Sequence, residues 1–161
     1  MQKKLWRIMI ISIVTGIILS IISYIYIFST VKVTSEFTFE METMITTLEA
    51  ISSLILFVIT GIFCFKDMTR KETAKSAAVV SIYYITVFAL EQLFQTMGLN
   101  PLMMFVDLVL FVPLKIYSSA FGVLIQLSDL NAYLCIIPTF FLPFLYVLFS
   151  KRNHERQYGQ D

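Results

Sequence analysis

From Ile8 to Val31 the chain carries no charged residue for 24 consecutive positions. A helix of that length rises ~1.5 Å per residue and crosses the roughly 30 Å hydrocarbon of a bilayer. Inside that layer each backbone N–H and C=O must be satisfied within the protein, so an isolated apolar run of this kind has one solution, a helix. Lys3, Lys4 and Arg7 precede it. A cleaved signal core is only about 7–15 residues long and ends at an A-x-A-like site. The run here is longer and has no such site, so an uncleaved first helix is expected. Composition agrees. Hydrophobic residues are 58% and charged residues 14%, against about 45–50% and about 25% in soluble domains. So few charges could not cover a water-soluble core. A net charge of +1 marks no nucleic-acid binder.

The pattern predicts an all-α integral membrane protein with four spans, at about residues 7–30, 44–66, 75–97 and 130–150. The second span must include Glu49. Residues 45–65 hold twelve Leu, Ile, Phe or Val, and at about −0.3 to −0.6 kcal/mol each these outweigh one off-centre carboxylate at roughly +3. Phe37, Met41, Met44 and Leu48 recur at helical spacing and put the start of this helix near Glu36. The alternation of Val31, Val33, Phe37, Phe39 and Met41 is the rival, strand-like reading. The third span holds Glu91 and ends at Gly98-Leu99-Asn100-Pro101, where Gly suits the position past a helix end, Asn an N-cap and Pro the first turn of a new helix. The fourth contains Pro138 and Pro143 and should be bent.

Residues 102–127 are ambiguous by hydropathy. Fifteen Leu, Ile, Phe or Val contribute about 4.5–9 kcal/mol, and Asp107 and Lys115 cost about 5–7. Charge parity decides between the readings. Residues 1–7, 66–75 and 151–161 hold ten of the twelve basic residues, and the positive-inside rule puts all three in the cytoplasm. That requires an even number of crossings. Five would export the basic tail and leave Asp129 as the only charge of a cytoplasmic turn. Residues 102–127 are therefore expected as a re-entrant or interfacial segment entered from outside and divided at Pro113. Residues 1–150 form a single transmembrane domain, and 151–161 a short polar cytoplasmic tail. The cell membrane is the expected location, with both termini cytoplasmic.

Intramembrane charge is the chemical signal. Glu49 lies 17 residues before Lys66 and Glu91 16 residues after Lys75, so both sit ~24–25 Å from the cytoplasmic face. Asp107 and Lys115 enter from the outside, and Gln92 and Gln95 extend the polar face of the third helix. Ionisable groups at this depth face a bundle interior or water, and pair. The candidate ligand- or ion-binding residues are thus Glu49, Glu91, Gln95, Asp107 and Lys115, in a polar cavity with Lys115 as counter-ion. The bland reading is that these charges reach the headgroups or lock helix packing. Tyr24, Tyr26, Tyr83, Tyr84 and Tyr117 read as interface anchors or packing, and Glu36, Glu40 and Glu42 as a solvated helix end. Ser12, Gly16 and Ser20 form a small-residue stripe suited to close helix approach. Cys64 and Cys135 fall at different depths and cannot meet the ~7 Å limit for a disulfide.

No G-x-S-x-G elbow, H-E-x-x-H helix, P-loop or C-x-x-C is present. His154 is the sole histidine and lies in the tail, so a His-based nucleophile pair or metal site in the membrane is not expected. No catalytic residue, metal or cofactor is predicted. The expected partners are the lipid bilayer and a membrane protein or further copies of the chain, with no nucleic acid. The expected role is that of a non-enzymatic subunit or modulator of a membrane complex. The alternative is a small transporter or channel using Glu49 or Glu91 with Lys115 for cation or proton coupling.

Overall fold

The computed structural model describes residues 2–34, 39–119 and 137–151. Among them every named element is helical. A short turn, α1 (Gln2–Leu5), leads into α2 (Arg7–Thr34), followed by α3 (Phe39–Cys64), α4 (Arg70–Thr96) and α5 (Asn100–Phe105). Helix α5 continues through a π-turn, Val106–Leu110, and a 3₁₀ turn, Val112–Leu114, into helical residues 115–119. A 3₁₀ helix, Leu142–Phe149, closes the described chain. Three stretches are long and apolar enough to cross a membrane: Arg7–Ser29, Thr43–Cys64 and Arg70–Thr96. The pair Asn100–Leu110 and Val112–Ser119, bent by 49°, makes a fourth if taken as one span. The fold is that of a helical membrane protein.

Local chemistry explains where the elements start and stop. Helix α4 begins at Arg70, five residues before the expected Lys75. Thr69 and Glu72 form a capping box: Thr69 accepts from the Glu72 N–H at 3.3 Å, and Glu72 accepts from the Thr69 N–H at 3.0 Å. Two donors otherwise orphaned at the helix start are satisfied reciprocally. The helix therefore includes the charged residues Arg70, Lys71, Glu72 and Lys75. Thr69→Ala should cost about 1 kcal/mol, and a thermal unfolding scan in detergent should show the midpoint falling by about 3 °C. At the other end Gly98 takes φ +67° just past the C-cap Met97. The next helix begins one residue earlier than expected: Asn100 is its first residue, and Leu99 occupies the N-cap without a side-chain bond.

The last segment departs furthest from expectation. Residues 130–136, the first third of the predicted fourth span, lie outside the described residues. The remainder, Ile137–Phe149, is short and mostly 3₁₀ rather than a bent α-helix. Phe140, Phe141 and Phe144 donate their N–H groups to Ile137, Pro138 and Phe141, each an i to i−3 bond. Pro138 and Pro143 lack an N–H and their rings crowd the carbonyl four residues back, which disfavours the α pattern. Pro143 and Tyr146 are buried. The Tyr146 ring stacks on Phe57 at 4.2 Å and lies 4.5 Å from Phe65, and its hydroxyl meets Thr60 at 3.0 Å. Residues 31–34 and 39–41 are helical, not extended. Residues 35–38, with Glu36 and Phe37, lie outside the described residues, as do Asp129, Cys135 and the tail after Lys151.

The basic segments meet at one end of the bundle. Lys4 bridges to Glu72 at 3.1 Å, and Arg7 to Asp67 at 2.8 Å. The Lys151 N–H donates to the Met68 carbonyl at 2.9 Å, and the Arg70 N–H donates to the Lys151 carbonyl at 3.2 Å. The partly exposed ion pairs contribute little stability, but they fix register. The hydrogen bond that Arg7 donates to Asp67 is the main cause that holds the Asp67 carboxyl below its usual range. Its small contribution is complete above the ordinary aspartate pKa and fades only as pH falls through the lowered one.

Candidate functional site

Pro113 shapes the site. It cannot donate a backbone hydrogen bond, and the helix loosens just before it. In the π-turn the Phe111 N–H reaches back five residues to Val106 at 2.9 Å. The Leu114 N–H then bonds Phe111, at 2.9 Å, and not Leu110. The Leu110 carbonyl is thereby released, and the Tyr83 hydroxyl of α4 donates to it at 2.8 Å. Such a break inside a membrane protein is stable only where the freed group finds a partner.

Helix α2 receives the bent segment on its small-residue stripe. Gly16 lies so close to Val112 that a Cβ there would stand 1.8 Å from the Val112 carbonyl oxygen. Ser12 and the buried Tyr117 share a hydrogen bond of 2.6 Å between their hydroxyls. Tyr84 and Tyr117 are core residues, whereas Tyr24 is 69% exposed, so the tyrosines divide between packing and surface.

This docking carries Lys115 onto α3. Its ammonium lies 2.8 Å from Oε1 of Glu49, with side-chain exposures of 25% and 19%. The Ser23 hydroxyl donates to the same Glu49 oxygen, and the Leu19 carbonyl, 2.9 Å away, is the alternative acceptor for its single proton. Lys115 donates to Ser23 at 3.5 Å, and Ser119 donates to the second Glu49 oxygen at 3.5 Å. A buried ion pair offsets its desolvation only with such extra hydrogen bonds.

Beside the pair opens a cleft of about 430 Å³ between α2 and the bent segment. Helix α2 supplies Ser20, Ser23, Tyr24 and Ile27, the spacing of one helical face. The bent segment supplies Asp107, Phe111 and Lys115 among others. Ser20 to Ile27 lie 13–20 residues beyond Arg7, ~20–30 Å along the helix. The cleft is thus remote from the basic end. Of the five sequence-predicted residues, Glu49, Asp107 and Lys115 line it, while Glu91 and Gln95 do not. Glu91 is half-buried on α4, and Gln95 is exposed. Sequence reasoning missed Ser23, Ser118 and Ser119. A signal existed for the last two, since they stand three and four residues after Lys115 and share its helix face.

The chemistry available is a neutralised ion pair, several hydroxyls and one further carboxylate, Asp107. Among the described residues no three His, Cys, Asp or Glu side chains converge as metal ligands. Comparison with known protein families, characterised proteins and solved structures yields no match.

Proposed function

We propose that this chain is a non-enzymatic subunit or modulator of a larger complex in the cell membrane. The observation that supports this reading is the closed Lys115–Glu49 pair. A coupling site for cations or protons needs a carboxylate that changes partner or charge during the cycle. Glu49 is instead engaged by an ammonium and two serine hydroxyls, an arrangement suited to holding the bent segment against two helices.

The proposed topology has four crossings, with residues 102–127 re-entrant or interfacial and both termini cytoplasmic. It is favoured by the meeting of Lys4, Arg7, Arg70 and Lys151 at one end, the end the positive-inside rule assigns to the cytoplasm. A 13-residue stretch such as Ile137–Phe149 is short for a full crossing, and residues 130–136 of the proposed fourth span lie outside the described residues.

The deciding experiment purifies the protein from its own membrane in mild detergent and, in parallel, reconstitutes it in vesicles under proton and cation gradients. The expected result is a stoichiometric membrane-protein partner and no flux. A clean monomer whose flux is abolished by Glu91→Gln would overturn the reading in favour of a transporter. For topology, a reporter after Asp161 should be cytoplasmic, and cysteines at 128–131 should be labelled only from outside.

A further inference from the structure

We infer that the cleft between α2 and the bent segment is a binding site for an amphiphilic cation, a single positive charge carried on an apolar body. This goes beyond a subunit role and does not depend on it. The cleft holds two carboxylates and one ammonium, so one negative charge is in excess. The surplus is on Asp107. Lys115 and Glu49 are closed on each other, and among the described residues Asp107 has no ion-pair or hydrogen-bond partner. Asp107 is exposed at the cleft, so a cation entering there meets a carboxylate that no described residue shares.

The remaining lining sets the rest of the ligand. Tyr24 and Phe111 line the cleft, and aromatic rings attract alkylammonium groups. Leu108 and its apolar neighbours flank Asp107 at the exposed mouth, where an alkyl tail would lie against protein and lipid together. The volume, about 430 Å³, falls within the roughly 300–1,000 Å³ of small-molecule sites. An anion would meet the surplus charge. A divalent metal would find one free carboxylate, fewer than the ligand sets such ions use.

The test measures equilibrium binding of radiolabelled dodecyltrimethylammonium to the full chain in lipid nanodiscs, after subtraction of partitioning into empty nanodiscs. Dodecanol, of similar tail and no charge, is the comparison. Saturable one-site binding of the cation is expected, and none of the alcohol. Asp107→Asn, at an exposed position where the fold tolerates the change, should weaken binding at least about tenfold. Leu108→Trp, which keeps every charge and fills the mouth, should weaken it as well. Partition-level uptake by the unmodified protein, or equal affinity in Asp107→Asn, overturns the proposal. Either result leaves the co-purification outcome unchanged, so the two readings fail separately.

Discussion

Lys115→Met is expected to destabilise the folded protein by about 3 kcal/mol, the lower end of the range for stripping one partner from a buried ion pair. The lower end applies because the two side chains keep 25% and 19% of their surface exposed. The loss arises on Glu49. Without the ammonium its carboxylate retains only the Ser23 and Ser119 hydroxyls in a medium that solvates charge poorly. Removing both charges should therefore help. Glu49→Gln/Lys115→Met is expected to recover most of the loss, since a neutral amide can still bond both serines. Unfolding of the four proteins of this cycle in mixed micelles gives the coupling energy directly. If Lys115→Met unfolds with the unmodified protein, the pair holds nothing together and the bent segment must be retained by its apolar contacts alone.

That pair also shows which part of the site the sequence could carry. A helix rises by a fixed amount per residue, so counting from Lys66 and Lys75 predicts Glu49 and Glu91 at similar distances along α3 and α4. Which carboxylate meets Lys115 was not legible, because it depends on the order of helices around the bundle and on their rotation. Helix α2 is apolar on nearly all sides, so its sequence shows no preferred face. The decisive rotation comes from Gly16 and Ser12, small residues that let the bent segment approach. They select the α2–α3 side, and Lys115 reaches Glu49 while Glu91 stays outside the cleft on α4.

The boundaries follow the same division. The uncharged runs fixed the presence of α2, α3 and α4, because length and hydropathy alone decide insertion. Their ends were read from charge, which misplaced the start of α4. Lys71, Glu72 and Lys75 look like a loop when hydropathy is the criterion. The T-x-x-E spacing of Thr69 and Glu72 is a start signal that outweighs it, and Lys4 on Glu72 reinforces it. The prolines divided likewise. Pro113 was expected to break its segment, and the chain does bend at Phe111. At Pro138 and Pro143 the local cost of an α-helix is instead avoided along the whole stretch by shorter i to i−3 bonds, and single-residue reasoning does not reveal how far such a change spreads.

Gly16→Ala should be the most damaging glycine-to-alanine change among the described residues. The added Cβ would lie 1.8 Å from the Val112 oxygen and 2.7 Å from its carbonyl carbon. Neither atom can rotate away, so the helices must separate. Overpacking of this kind costs about 1–3 kcal/mol and occasionally more, and a backbone obstacle places the change at the upper end, about 3 kcal/mol. Gly61 provides the internal comparison. Its added Cβ would meet the Phe149 ring at 2.6–2.8 Å, and a side chain near the end of the described chain can turn aside. Gly61→Ala should therefore cost less, about 1 kcal/mol. The two variants also differ in reach. Moving Val112 off α2 withdraws Lys115 from Ser23 and Glu49, three residues along the same segment, so Gly16→Ala and Lys115→Met should not be additive. The double variant should lose clearly less than the sum of the singles, by ~1 kcal/mol or more, as expected for residues sharing one displaced backbone. Strict additivity in micelle unfolding would mean that the Gly16 contact and the ion pair report on separate events, and the bent segment could not then be the rigid link that carries Lys115 to Glu49.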